Sequence, residues 1–132
     1  MRKFIFFFLG MFFPQQAAAI TQIVNAGEVL DGGDVHIVVT QRVYGTTKNF
    51  TVSGNQQVMS GGEAYNSNIF PYGQQNVEKG GVSHNTNVQY YAVQNVNGEA
   101  YSSTVASQGI VDVNAGGYAQ DTVVNGGMLV VS

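Results

Sequence analysis

The sequence predicts an all-β fold, a parallel β-helix of about six short coils, and three observations carry that expectation. A ten-residue block recurs: "SGGEAYNSNI" ends at Ile69, "KGGVSHNTNV" at Val88, "VNGEAYSSTV" at Val105 and "AGGYAQDTVV" at Val124. Aligned copies share columns of residue type. The copies also differ in length by two residues at a time. A two-residue change preserves which side of a strand a residue faces, whereas a change of one would reverse it. Segments of 17 to 19 residues are too short to bury a core alone, so they must stack on one another. Six coils at the ~4.8 Å strand spacing make a rod about 29 Å long.

Taken in chain order, the first nineteen residues stand apart. Met1-Arg2-Lys3 is a basic start, Phe4 to Phe13 is an apolar run, and Pro14 breaks it before "QQAAA". This is the pattern of a secretory signal peptide over residues 1–19. The apolar run falls well short of the ~20 residues that span a bilayer. Without it, Arg42, Lys48 and Lys79 face eight acids, a net charge of about −5. No basic stripe remains to hold a nucleic acid. Cysteine is absent, so disulfides contribute nothing to stability. The remaining chain is rich in Val, Gly, Asn, Gln, Ser, Thr and Tyr and has two Leu, a composition of strands and turns.

Residues 20–44 read as an irregular first coil or N-terminal cap. The stretch "GEVLDGGDVHIVV" resembles a copy anchored on Gly33, only twelve residues before the next anchor. Residues 45–132 are the repeats, ending in mid-copy at Ser132. Their anchors are Gly45, Gly62, Gly81, Gly98 and Gly117. Two residues after each anchor stand Thr47, Ala64, Ser83, Ala100 and Ala119, all small; seven after stand Val52, Ile69, Val88, Val105 and Val124. Both columns belong inside, yet the offsets differ by an odd number, which a straight strand cannot accommodate. A corner must lie between them, at Asn49, Asn66, Asn85, Ser102 and Asp121, whose residue types favour turns. The anchor glycines mark a second corner. The valines before the anchors, Val43, Val58, Val77, Val96 and Val113, form another inward column. An antiparallel sandwich is the alternative, but it does not explain columns fixed across copies.

The string "SGGEAYNSNIFPYGQQNVEKGGVSHNTNV" resembles the passenger repeats of AIDA-type autotransporter adhesins of Gram-negative bacteria. Gly61, Gly62, Ala64, Asn66, Ser67 and Ile69 match the first half of that repeat, and Gly73, Gln75 and Val77 match the second. The resemblance runs from about Gly45 to Val131. It implies a right-handed β-helix, exported through the inner membrane. It also implies an outer-membrane location at the cell surface, with roles in adhesion, autoaggregation and biofilm formation. Such passengers are carried by a C-terminal β-barrel of at least eight strands of ~10 residues. None follows the repeats here, so the chain is expected to be a truncated product, periplasmic if it stays so. The resemblance also implies a glycosyltransferase partner and heptose acceptors at Ser67, Thr86, Ser103 and Thr122, expected as exposed turn hydroxyls.

A binding face is expected three residues after each anchor, at Lys48, Tyr65, His84, Tyr101 and Gln120, turned outward by alternation. Tyr72, Tyr90 and Tyr91 are placed on the neighbouring face. Tyrosine suits a glycan or protein surface on a host or bacterial cell, or self-association. Catalysis is not expected. Glu63 and Glu99 share a column but lie two coils, about 10 Å, apart with Val82 between them. His36 and His84 lack metal-ligand spacing, so no metal and no cofactor is expected. The reading is therefore a non-catalytic display scaffold. A polysaccharide-processing β-helix enzyme, or a non-functional remnant of a truncated gene, is the alternative.

Overall fold

The computed structural model describes residues 20–132; the expected signal peptide lies outside the described residues. The chain winds into a β-solenoid of about six coils, all strands parallel and in register. One face of every coil belongs to a seven-stranded sheet. Its strands are β1 (Ile20–Val24), β3 (Val39–Val43), β5 (Asn55–Val58), β8 (Gln74–Val77), β11 (Val93–Val96), β14 (Ile110–Val113) and β17 (Met128–Val131). The other two faces form the second sheet. The longer strands β2 (Val29–Val35) and β4 (Thr46–Val52) run across both faces. From the third coil on, each is split into a pair, such as β6 (Glu63–Tyr65) and β7 (Asn68–Ile69).

The apolar columns of the sequence stack as they were read, except that Val124, which follows Val105 in register, is exposed in the last coil. Val24, Val43, Val58, Val77, Val96 and Val113 are successive register partners, all buried. Val35, Val52, Ile69, Val88 and Val105 form the second column. Thr47, Ala64, Ser83 and Ala100 form the third. Each fully buried Val or Ile contributes about 1.5–3 kcal/mol. The small residues let the three walls meet without overfilling so narrow a section.

The corner between offsets two and seven falls where the parity argument put it. Asn49, Asn66, Asn85, Ser102 and Asp121 all have φ between 57° and 62°, the left-handed region. A single residue in that conformation turns the strand and reverses its alternation, and Asn and Asp tolerate it better than most. At the second corner, the anchor glycines serve close approach. A Cβ on Gly45, Gly62, Gly81, Gly98 or Gly117 would collide with backbone oxygens of its own turn or the coil beneath. The positive φ there sits one residue earlier, at Gly61, Gly80 and Gly116.

The two-residue length changes are turn lengths. At the anchor corner the chain uses four residues, as in Met59–Gly62, closed by the Gly62 N–H donating to the Met59 carbonyl (2.8 Å). Alternatively it uses two, as in Tyr44–Gly45 and Asn97–Gly98. The strands before and after keep their register. β1 and β2 likewise form a first coil in register, and β3 opens the second. The first coil's equivalent of the anchors is Glu28, because Val29 pairs with Thr46; Gly33 instead pairs with Phe50. The Phe50 ring fills the space a Gly33 side chain would need.

The interior holds a polar spine that the apolar columns did not reveal. Gln41, Gln56, Gln75 and Gln94 are fully buried and stacked. Each side-chain amide donates to the carbonyl of the previous one: Gln41 to Gln22 at 3.0 Å, Gln56 to Gln41 at 2.9 Å, Gln75 to Gln56 at 2.8 Å and Gln94 to Gln75 at 2.7 Å. Hydroxyls cap the free lone pairs. Ser67 donates to Gln56 (3.0 Å), Thr86 to Gln75 (3.2 Å) and Ser103 to Gln94 (2.8 Å). Buried amides are tolerable only when so paired. The spine stops at Val111, the next residue in register, and there the buried Thr122 hydroxyl has no partner among the described residues.

Two substitutions test the spine. Gln75→Leu strands one Gln94 amide N–H, the other still donating to Ser83, and the Thr86 hydroxyl, and lowers stability by about 2–4 kcal/mol. Val111→Gln offers the Thr122 hydroxyl an acceptor and raises stability by about 1 kcal/mol. Urea unfolding followed by circular dichroism reads both; a neutral Gln75→Leu would mean the ladder contributes nothing.

Candidate functional site

The outward side of the first split face carries an aromatic column. Register places Lys48, Tyr65, His84, Tyr101 and Gln120 one above another. The rings stack where they adjoin: Tyr65 on His84 with centroids 4.5 Å apart and planes within 6°, His84 on Tyr101 at 5.6 Å and 18°. These distances follow from the coil spacing, since identical positions in neighbouring coils are one strand apart. Tyr118 joins from the neighbouring column and tilts against Tyr101 at 5.9 Å. The offset-three pattern did not include it, because Tyr118 pairs in register with Glu99.

The ends of the expected face differ from its middle. Lys48 is exposed and shares the register of Tyr65. It lines an open hollow of about 560 Å³ with Val29, Thr46, Glu63, Tyr65 and Asn66. Gln120 is exposed and accepts a hydrogen bond from the Tyr118 hydroxyl (2.8 Å). Tyr72, Tyr90 and Tyr91 are not on a flat face. They sit on the corner leading into the seven-stranded sheet, where Tyr72 stacks on Tyr91 at 5.5 Å.

Glutamates brace the column from the side. The Tyr65 hydroxyl donates to Glu63 (2.7 Å) and the Tyr101 hydroxyl to Glu99 (2.8 Å), each two residues away on the same face. That hydrogen bond to a carboxylate, with lesser help from burial and charge repulsion, raises both phenol pKa values above the usual tyrosine value. Glu63 and Glu99 each pair in register with Val82, as the sequence implied.

The expected sugar acceptors require correction. Ser67, Thr86 and Ser103 are buried and point into the spine, where each donates to a glutamine carbonyl. The physical reason is the single left-handed residue before each of them, which reverses alternation and turns the next side chain inward. The Thr122 hydroxyl is buried as well. Outward hydroxyls stand instead at the turn tips, at Ser60 and Ser107.

Comparison with known proteins places this geometry. No protein-family profile matches the chain, and no curated protein does. Among solved structures it is similar to the crystal structure of a hyper-glycosylated TibA fragment, residues 55–350, whose glycosylation is catalysed by TibC. The match has a TM-score of 0.66 at 25% identity and covers 87% of this chain. It covers 53% of that fragment, so the chain spans about half its length. The fold class is thus a β-solenoid like that of the glycosylated TibA fragment. Among the described residues no helix is long and apolar enough to cross a membrane.

The braced phenols give a titration test. Their folded pKa values lie above the unfolded value of about 10. The bracing therefore stabilises the fold below that pH and is lost as pH rises through the folded values. In an alkaline absorbance titration, Glu63→Ala brings ionisation of Tyr65 down toward the ordinary range. An unchanged titration would show that the Tyr65–Glu63 bond is absent in solution.

Proposed function

We propose that this chain is an exported, non-catalytic display rod of the adhesin type, acting at the cell surface as part of an autotransporter passenger. The observation that carries the reading is the stacked column Tyr65–His84–Tyr101, extended by Tyr118, held outward on a rigid solenoid. Likeness to the TibA fragment and to AIDA-type repeats supports it. Adhesion needs no chemistry, only surface area presented at fixed spacing. Each ring offers a small apolar edge with a polar tip, suited to a glycan or a protein on an opposing cell. Individually weak contacts add through multivalency when many rods meet a surface.

The carboxylates fit this reading better than an enzymatic one. Glu63 and Glu99 are each occupied by a tyrosine hydroxyl, and two coil spacings separate them. If a glycosyltransferase acts on this chain, as TibC does on TibA, its acceptors are outward hydroxyls such as Ser60 and Ser107 rather than the interior column.

The test displays the rod on cells or beads. Replacing Tyr65 and Tyr101 together by Ser lowers retention on the target surface, or aggregation between rods, by tenfold or more. Circular dichroism remains unchanged, because both rings are outside the core. Full retention by the folded double variant would reject this face.

A further inference from the structure

The corner that carries Tyr72 contains a gap with a definite shape. Between the second split face and the seven-stranded sheet, the chain turns with four residues in most coils. These turns are His36–Val39, Phe70–Gly73, Gln89–Ala92 and Ala106–Gly109, each closed by a hydrogen bond from its fourth N–H to its first carbonyl. The second coil alone turns with two, Ser53-Gly54. The turns of the first and third coils therefore project past it and leave a notch between them. Their separation is two coil spacings, ~9.6 Å. That is room for one more peptide turn or one flat ring.

The notch is an open cleft of about 690 Å³. Ile37 and Val38 form one wall, Pro71 and Tyr72 the other, with Ser53 and Asn55 among the floor residues. The walls are apolar and unusually exposed for such side chains: Ile37 is 77% exposed and Tyr72 80%. The Tyr72 ring lies against Tyr91 on the far side (5.5 Å, 15°), and among the described residues no ring stacks on it from the notch side.

The backbone at this corner also runs as a ladder that breaks at the notch. The Tyr72 N–H donates to the Tyr91 carbonyl (3.0 Å) and the Tyr91 N–H to the Gln108 carbonyl (3.1 Å). All three residues share the same left-handed conformation, with φ of 60° to 68°. In that ladder each carbonyl accepts from the coil before it. The Tyr72 carbonyl has no such donor among the described residues, because the second coil has no third turn residue to supply one. Strained conformations of bulky residues persist where surroundings or ligands hold them.

We propose that the notch is a docking site for one turn of a partner polypeptide that presents a flat side chain, aromatic or prolyl. Its main-chain N–H donates to the Tyr72 carbonyl, continuing the ladder by one rung, as added strands do at sheet edges. Its flat side chain enters between Val38 and the free face of Tyr72. What favours a peptide is that the vacancy has the height and hydrogen-bonding pattern of a turn of this fold. The two-residue turns at the anchor corner, Tyr44-Gly45 and Asn97-Gly98, leave comparable gaps, but no aromatic side chain stands in the four-residue turns on either side of them. The site stands on the fold alone and is separate from the Tyr65–Tyr101 face.

The test is amide chemical-shift mapping on isotope-labelled protein with the blocked peptide acetyl-Phe-Pro-Tyr-Gly-amide, the chain's own third-coil turn. Shifts centred on Ile37, Val38 and Tyr72 are expected. Replacing Ser53-Gly54 by Phe-Pro-Tyr-Gly fills the notch with a turn length the other coils already use, and weakens binding at least tenfold. Tyr72→Asn, which keeps a residue tolerant of the left-handed conformation, weakens it likewise and serves if the filled variant does not fold. The proposal is overturned if the peptide causes no shifts there, or if binding survives in the folded variants. It is equally overturned if a β-linked glucose oligomer shifts the same amides and the peptide does not.

Discussion

Everything in this molecule rests on parallel backbone pairing between each coil and the next, in fixed register, along one axis. A coil of 15 to 19 residues has no core of its own; its valines are buried only because equivalent valines lie above and below. Axial pairing also explains why the sequence tolerates changes in turn length but not in facing. Turns of two, three and four residues, as at Ser53-Gly54, 125–127 and Phe70–Gly73, lengthen a corner and leave the strands in register, whereas one residue added within a strand would turn an inward column outward. The same pairing puts like side chains one strand spacing apart on the outside, which makes Tyr65, His84 and Tyr101 a stack.

The interior settles an apparent conflict between narrow section and polar composition. A spine of buried glutamines would be costly if any amide were left unpaired. Stacking at the coil spacing lets each amide satisfy its neighbour, and the Ser/Thr column supplies further donors. The chain shows both the solution and its lapse. Where Val111 replaces the glutamine, the Thr122 hydroxyl is orphaned. A hydroxyl column that looks like a row of surface acceptors is therefore part of the packing.

Much of the fold was legible because repetition exposes columns. Offsets two and seven located the inward walls, and their odd separation located the corner that Asn66 and its equivalents make. The register of the first coil was not legible. Gly33 resembles an anchor, but its lack of a side chain answers the Phe50 ring, a contact between coils that composition does not disclose. The spine could have been found: Gln41, Gln56, Gln75 and Gln94 stand two residues before the inward valines, the same facing by alternation. Their polarity gives no sign of burial, which only the stacked amide pairing makes tolerable. Facing after the left-handed corner was missed for a related reason, since one positive φ shifts the parity of all that follows and buries Ser67. Tyr118 was missed because it reaches Tyr101 from another column.

The outer surface combines rigidity with repetition, and the proposed adhesive role draws on both. The chain has no cysteine, which allows its central claim to be tested by engineered pairs. Asn76 and Asn95 are outward register partners in adjacent coils, nineteen residues apart; Asp112 lies one coil further. With Asn76→Cys and Asn95→Cys together, mild oxidation should form an intramolecular disulfide in the folded monomer, because adjacent parallel strands fall within the Cα separation a disulfide accepts. With Asn76→Cys and Asp112→Cys, two coil spacings exceed that reach and no bond should form. Ready closure of the second pair, or failure of the first in a folded chain, would contradict the stacked solenoid.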